Sequence, residues 1–237
     1  MFSVICVYND ENKVNKYLLP SLKKQNMDFQ LILIDNRNHQ YSSAAKALND
    51  SFKKTNTDSK YLMFVHQDIE LPTEDWLQKA GKHMDRINDL GIAGVAGMGA
   101  AGGQGLVKEG DDLHDWHLAK PVDKPTPVQT VDECLAIIPR QVFAKQLFDA
   151  QVCDHWHLYA VDYALSVNKY NLRAYVLPLV AHHFSAGLTD KHYYASLKRV
   201  LKKHKKNFSM VYTTCGNFST RKYLYWQKPG LLLKYFE

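Results

Sequence analysis

The run Tyr61-Leu-Met-Phe-Val65 is apolar throughout and stops abruptly at His66-Gln67-Asp68. Pro72-Thr-Glu-Asp-Trp76 then opens a helix. This reads as a buried strand that delivers an imidazole and a carboxylate to its C-terminal end, where open α/β sheets place their ligand sites. Asp68 is therefore expected to face a metal or a phosphate rather than bulk solvent.

The chain before and after keeps the same rhythm. Phe2–Tyr8 reads as a first buried strand, and the polar turn Asn9-Asp10-Glu11-Asn12 can cap a helix with Val14, Leu18 and Leu22 at helical spacing. A second strand, 29–34, ends in Asp35-Asn36-Arg37-Asn38. An Ala-rich helix covers 42–54, and the third strand is 61–65. A helix over 73–88 has Thr73 as its N-cap, and 91–97 is a fourth strand. Strand–helix alternation with short links predicts a parallel sheet with right-handed crossovers. Residues 97–127 are rich in Gly, Asp and Pro and read as a long loop over the site. Strand character resumes at 128–131 and leads through Asp132-Glu133 into 134–140. Helices at 141–147 and 160–170 and a late strand at 173–178 follow, ending near His182-His183. From 191 to 204 the pattern is a basic amphipathic helix with Tyr194, Leu197 and Leu201 on one side.

The 237 residues suffice for one large α/β domain, and a hydrophobic fraction of 46% excludes a disordered chain. The start is too short and lacks the basic flank of a signal peptide, and no apolar run reaches membrane-spanning length. Cys6, Cys134, Cys153 and Cys215 are scattered, which fits free thiols in a reducing compartment and a cytoplasmic location. The net charge of +6 is unevenly spread: residues 191–237 hold eleven Lys/Arg and one acid, while the first 190 are mildly acidic. Such a tail suits an anionic lipid surface or another negatively charged partner. Nucleic acid is disfavoured because the acidic body offers no continuing basic groove.

Asp35, Asp68 and the pair Asp132-Glu133 all fall at or just after expected strand ends, so they can share one cleft. Taken singly, each acid is an ordinary turn residue; together they suit a divalent cation, which needs hard oxygen ligands and offsets a diphosphate's charge. A second polar cluster comprises Asp154-His-Trp-His157, Asp162 and His182-His183. Asp162 starts an apolar helix, where the helix dipole favours an acid and where a general base can also stand. Imidazole beside carboxylates suits Mn²⁺ or a related ion. Gly97-Met-Gly-Ala-Ala-Gly102 matches G-x-G-x-x-G, but it follows a fourth strand and opens no helix, so it is not read as a dinucleotide loop.

These segments, in this order, resemble family 2-type glycosyltransferases of the GT-A fold: a Rossmann-like, mostly parallel sheet flanked by helices, here followed by a basic helical tail. The resemblance covers residues 1–188 as nucleotide-sugar-binding and catalytic domain, leaving 189–237 as the tail. Ser3 to Asn9 resembles the opening strand, implying donor contacts from Val7, Tyr8 and Asn9. Leu33-Ile-Asp35-Asn36 resembles the second strand, whose Asp contacts the base. Phe64-Val-His-Gln-Asp68 resembles the D-x-D motif, with His66 where the family usually carries its first acid. His157-Leu-Tyr-Ala-Val-Asp162 resembles the segment of the catalytic base. Residues 180–187 resemble a late His segment that supplies a metal ligand.

The resemblance implies inverting transfer of a sugar from a nucleotide-sugar, a UDP-sugar above all, to a saccharide or lipid-linked saccharide in bacterial surface-polysaccharide assembly. Asp162 would be the base. Mn²⁺ or Mg²⁺ would sit on Asp68 and His183, with His182 as a further candidate. Asp35, Asn36, His66, Gln67 and Asp68 would bind the donor, and Asp132, Glu133 and Tyr159 would shape the donor and acceptor sugar sites. The 97–110 loop would close over the donor. The tail can meet the inner face of a membrane or a second copy in a homodimer. Two other classes use the same residues: a metal-dependent phosphoester hydrolase, and a non-catalytic membrane-surface module.

Overall fold

The computed structural model describes residues 1–116, 119–185 and 189–221. The aromatic end expected over 223–236 and the last two residues of the late His segment, 186–187, lie outside the described residues. The core is a seven-stranded sheet. Its strands run in the order Thr126–Val128, Arg173–Val176, Leu90–Gly94, Leu135–Pro139, Tyr61–Val65, Phe2–Tyr8, Phe29–Asp35. Five of them share one direction; Leu135–Pro139 and Thr126–Val128 run against it. The apolar runs explain the centre: every residue of Tyr61–Val65 is buried, as the strand meets side chains on both faces.

Helices cover both faces. Behind the first strand, Asp10 caps a helical stretch that runs from Glu11 to Lys23 and opens into a π-turn at Val14–Leu18. Val14, Leu18 and Leu22 are buried there, as their spacing predicts. The helix expected over 42–54 spans Ala44–Ser51, capped by Ser43 and followed by a 3-10 turn at Phe52–Lys54. The helix expected over 73–88 is shorter, Trp76–Met84, and Asp75 stands at its N-cap position.

The segment 97–127 is not a loop. Ala96–Gly99 and Gly102–Gly105 form a hairpin turning at Gly102, whose φ of +97° only glycine adopts freely. Val107–Glu109 joins a second small sheet with Ala181–His183 and Ile69–Glu70. Short strands with polar turns carry too little periodicity to be legible in the sequence, and the strand pairing supplies the order instead. The expected closure of 97–110 over a donor therefore has no free loop to act through. Gly97 is pinned against the carbonyl of Thr130 and Val176, with no room for a side chain.

The basic helix spans Lys191–His204, as its pattern predicts, but it belongs to the core. Tyr193, Leu197, Val200 and Leu201 join the cluster that holds Phe64, Phe143 and Tyr163, so the core runs on past residue 188. Tyr193, rather than Tyr194, is the fully buried tyrosine. A hairpin of Met210–Thr213 and Gly216–Ser219 follows and packs onto Gln129 and Thr130. Among the described residues, no helix is long and apolar enough to cross a membrane.

Candidate active site

Strand direction gathers the site. The C-terminal ends of the first three strands put Asn9, Asp35 and His66 to Asp68 on one edge. The Leu135–Pro139 strand runs the other way, so it starts at that edge, and the peptide N–H of His66 donates to the carbonyl of Cys134 at 2.9 Å. Asp132 and Glu133 therefore reach the expected place by preceding an antiparallel strand, not by following a parallel one. Ile69–Glu70 pairs with Ala181–His183 in a register that sets His183 opposite Ile69, beside Asp68.

Three ligand atoms, one each from His66, Asp68 and His183, lie within 4.8 Å of one another. The Nε2 of His183 is 3.6 Å from Oδ1 of Asp68 and 3.2 Å from the Ser185 hydroxyl. Burial works against the Asp68 charge, but His183 and Ser185 hold its carboxyl well below the usual carboxylate range. Burial and the neighbouring His183 push His66 down to about 4, so its ring is neutral and able to ligate near neutral pH. One carboxylate with two imidazoles is a donor set that suits Mn²⁺ and related divalent ions.

His182 does not join them. Adjacent residues of a strand face opposite ways, and its Nδ1 lies 3.0 Å from Glu70. Gln67 spends its amide as a clamp. Its Oε1 accepts from the backbone N–H of Asn9 and of Asp10, both at 3.0 Å, and its Nε2 donates to the Asn9 side chain at 2.9 Å. The loop after the first strand is thus fixed to the metal edge. A polar cleft of about 510 Å³ opens there, lined by Asn9, Asp10, Glu11, Asn12, Lys13, Arg37 and Gln67. Arg37, given no site role by the sequence pattern, clasps Asp35 with Nε at 3.0 Å from both carboxylate oxygens and also pairs with Glu11. Those hydrogen bonds hold Asp35 down to about 2. Tyr8 lies beneath the Arg37 guanidinium, and Val7 is half-buried against the core. Asn36 is not available to a ligand: it is 2% exposed, and its amide bonds both the N–H and the carbonyl of Tyr41.

The expected base stands elsewhere. Asp162 is 2% exposed, its Oδ1 is 2.8 Å from Nε2 of His204 and its Oδ2 accepts from Lys203 at 2.6 Å. Both oxygens are tied to the Lys191–His204 helix, so Asp162 anchors that helix. Tyr159 is also buried, and its hydroxyl donates to the main-chain carbonyl of Glu133 at 3.1 Å, so it positions that residue instead of touching a sugar. Glu133 is directed at the start of the Tyr159–Ser166 helix, which carries Asp162: the backbone N–H groups of Leu158 and Tyr159 reach its carboxyl, and Leu158 turns there with φ +67°. Burial, and then the charge of Asp132, raise the Glu133 carboxyl well above its ordinary value. Its Oε1 is buried without a partner. Asp132 accepts from Cys134 N–H at 2.9 Å and from the Thr214 hydroxyl at 2.5 Å. Burial opposes its charge, but these bonds, with His183 and His66, keep it ionised.

The family model described as a glycosyltransferase-like family matches residues 3–212. The chain belongs to that family. No curated protein matches the sequence. Among solved structures, the fold is similar to residues 1–349 of Staphylococcus aureus TarS in complex with UDP-GlcNAc. The TM-score is 0.57 and identity 16%, over 87% of this chain and 66% of that one. It is also similar to GalNAc-T7 with UDP, GalNAc and Mn²⁺ (TM-score 0.60, identity 10%, 84% of this chain and 47% of that one). A third likeness is to the mannosyltransferase PcManGT of Pyrobaculum calidifontis with GDP-Man and Mn²⁺ (0.56, 13%, 87% and 64%). At these identities the likeness is one of fold, which is GT-A. The glycosyltransferase-like chain spans two thirds or less of the length of these proteins.

Proposed function

We propose that this chain transfers a glycosyl group from a nucleotide-sugar, a UDP-sugar in the first instance, to a hydroxyl of a saccharide or lipid-linked saccharide, with inversion at the anomeric carbon. The observation that carries the reading is the meeting, at one sheet edge, of the His66–Asp68–His183 group with the cleft beside Asp35 and Arg37. His66, Asp68 and His183 would hold Mn²⁺ or Mg²⁺, which when bound offsets the charge gathering on the departing diphosphate. Asp35 and Arg37 flank the place of the nucleoside, and Asn9, fixed by Gln67, shapes its floor.

The acceptor proton needs a base, and Asp162 is spent. Glu133 takes that role in this reading: its orphaned Oε1 and its proton affinity, raised by burial, suit a group that takes up the acceptor proton. The acceptor oxygen forms a bond to the anomeric carbon as the bond from that carbon to the diphosphate oxygen breaks. The electron pair leaves with the nucleoside diphosphate, and the acceptor proton passes to Glu133. Asp132, held ionised by Thr214 and the Cys134 N–H, keeps the Glu133 proton affinity high.

A role in surface-polysaccharide assembly at the cytoplasmic membrane face is consistent with Lys191, Lys198, Lys202, Lys205 and Lys206, all exposed along and just after one helix. The experiment is calorimetric titration of UDP, GDP, CDP and dTDP, each with Mn²⁺ and with EDTA. Metal-dependent binding of one diphosphate is expected. Failure of all four to bind in Mn²⁺ removes the proposal.

A further inference from the structure

One cation reaches the metal edge from the helix behind the first strand. Asp10 caps that helix through Oδ1, which accepts from the N–H of Asn12 at 3.0 Å and of Lys13 at 3.3 Å. The backbone then widens into the π-turn at Val14–Leu18, a departure from regular helix that recurs at functional sites. Two contacts fix how this turn faces. Val14 and Leu18 are buried in the core, and the Tyr17 ring stacks on Phe184, with centroids 4.0 Å apart. Phe184 directly follows His183, and its N–H donates to the carbonyl of Asp68 at 3.0 Å. The turn is therefore locked to both strands that supply the metal group. In that setting Nζ of Lys13 lies 3.6 Å from Oδ2 of Asp68, with the lysine side chain 40% exposed to the cleft.

The two cations of the cleft differ. Arg37 is held by Asp35 and Glu11. Among the described residues, the ion pair of Lys13 is a long one, to a carboxylate that a divalent ion would claim. An ammonium and a divalent ion repel each other and compete for the same oxygen. Once the ion is on Asp68, the ammonium needs another anion. A sugar diphosphate held by that ion supplies one. Divalent ion and diphosphate cancel in charge, which leaves the Asp68 charge balanced by Lys13.

We infer that Lys13 is a diphosphate-binding residue of the donor site, which stands on Asp68 when the site is empty and moves to the donor phosphates when ion and donor bind together. This rests on the glycosyltransferase reading. It assigns Lys13 two opposite effects: it weakens binding of the ion alone and strengthens binding of ion with diphosphate. A residue that merely supports the fold does neither.

The test is Lys13→Met, which keeps the length of the side chain and removes its charge, with Lys13→Arg beside it. The probes are Mn²⁺ alone, the nucleoside diphosphate that binds wild type most tightly, with Mn²⁺, and the corresponding nucleoside. Lys13→Met is expected to bind Mn²⁺ alone about threefold more tightly, the scale of a partly exposed ion pair. It should bind the diphosphate with Mn²⁺ about tenfold or more weakly, the scale of a charge-assisted hydrogen bond, and leave the nucleoside unchanged. Lys13→Arg should restore most of the diphosphate affinity. If wild type binds the diphosphate and Lys13→Met binds it equally well, this inference falls and the glycosyltransferase reading stands. Parallel weakening of Mn²⁺, diphosphate and nucleoside would make Lys13 a structural residue and also overturn the inference. If wild type binds no diphosphate, both fall.

Discussion

Two carboxylates of this protein keep the same company and do different things. Asp68 stands between a histidine and a lysine, His183 and Lys13, each 3.6 Å away. Asp162 also stands between a histidine and a lysine, His204 and Lys203, at 2.8 and 2.6 Å. Both acids are buried, at 4% and 2% exposure. The short contacts around Asp162 are complete hydrogen bonds that weld two helices, and Lys203 reaches on to Asp149 at 3.0 Å. Its proton affinity is raised by Asp162 and Asp149 against the cost of burial. The longer contacts of His183 and Lys13 to Asp68 give way more readily to a ligand. Residue types alone do not separate a site from a strut; the slack in the contacts does, because a carboxylate already holding short hydrogen bonds must lose them before it can bind anything else.

The comparison breaks most sharply at Asp68. Asp68→Ala should abolish metal-dependent diphosphate binding and cut transfer by about a hundredfold or more, as for loss of a preorganised charge-stabilising group; retention of Mn²⁺-dependent affinity in calorimetry would move the metal site elsewhere. Glu133→Gln comes next. Transfer should fall by about 10²–10⁴-fold while donor affinity is kept, the range for loss of a general base. Because burial disfavours the ionised form, wild-type transfer should rise with pH through a value above the usual carboxylate range. That acid limb should vanish in Glu133→Gln. A profile unchanged by the substitution would exclude Glu133 as the base.

Asp162→Ala sharpens the other side. Removing the buried carboxylate leaves His204 without its acid and Lys203 with Asp149 alone, so chemical denaturation should show a loss of about 3 kcal/mol. Transfer per folded molecule should stay close to wild type; a folded Asp162→Ala protein devoid of activity would return the base role to Asp162. The smallest effect is expected at His182. Its pair with Glu70 is partly exposed, so His182→Asn should cost less than about 1 kcal/mol in thermal unfolding, and Mn²⁺ affinity should not change.

Much of this was legible in the sequence because of strand ends. Apolar runs mark the buried strands, and in a sheet whose strands mostly share one direction the residues just past those runs must fall on one edge. Asp35, His66 and Asp68 follow such runs, whereas His183 reaches the same edge through the pairing of Ala181–His183 with Ile69–Glu70 in a separate small sheet. The pattern over 191–204 likewise predicts the helix, since its apolar period is set by backbone geometry alone. Asn36, Tyr159 and Asp162 lie at the right elements but face away or are already bonded, which no periodicity reports. Periodicity tells which residues share a face of an element; it does not tell what covers that face. The Lys191–His204 helix covers Asp162, and nothing near Asp162 in the chain announces this, because the partners are 41 and 42 residues away.

The sequence by itself therefore determined the apolar strands of the large sheet, their order of appearance and the carboxylates and imidazoles that follow them, all local consequences of apolar runs and the residues that stop them. Only the tertiary structure decided which of those groups are free. Antiparallel entry brings Asp132 and Glu133 to the edge, a π-turn sets Lys13 against Asp68, and a distant helix withdraws Asp162. Each depends on contacts between segments far apart in the chain, where the energy of a buried charge is set by whatever partner packing brings to it.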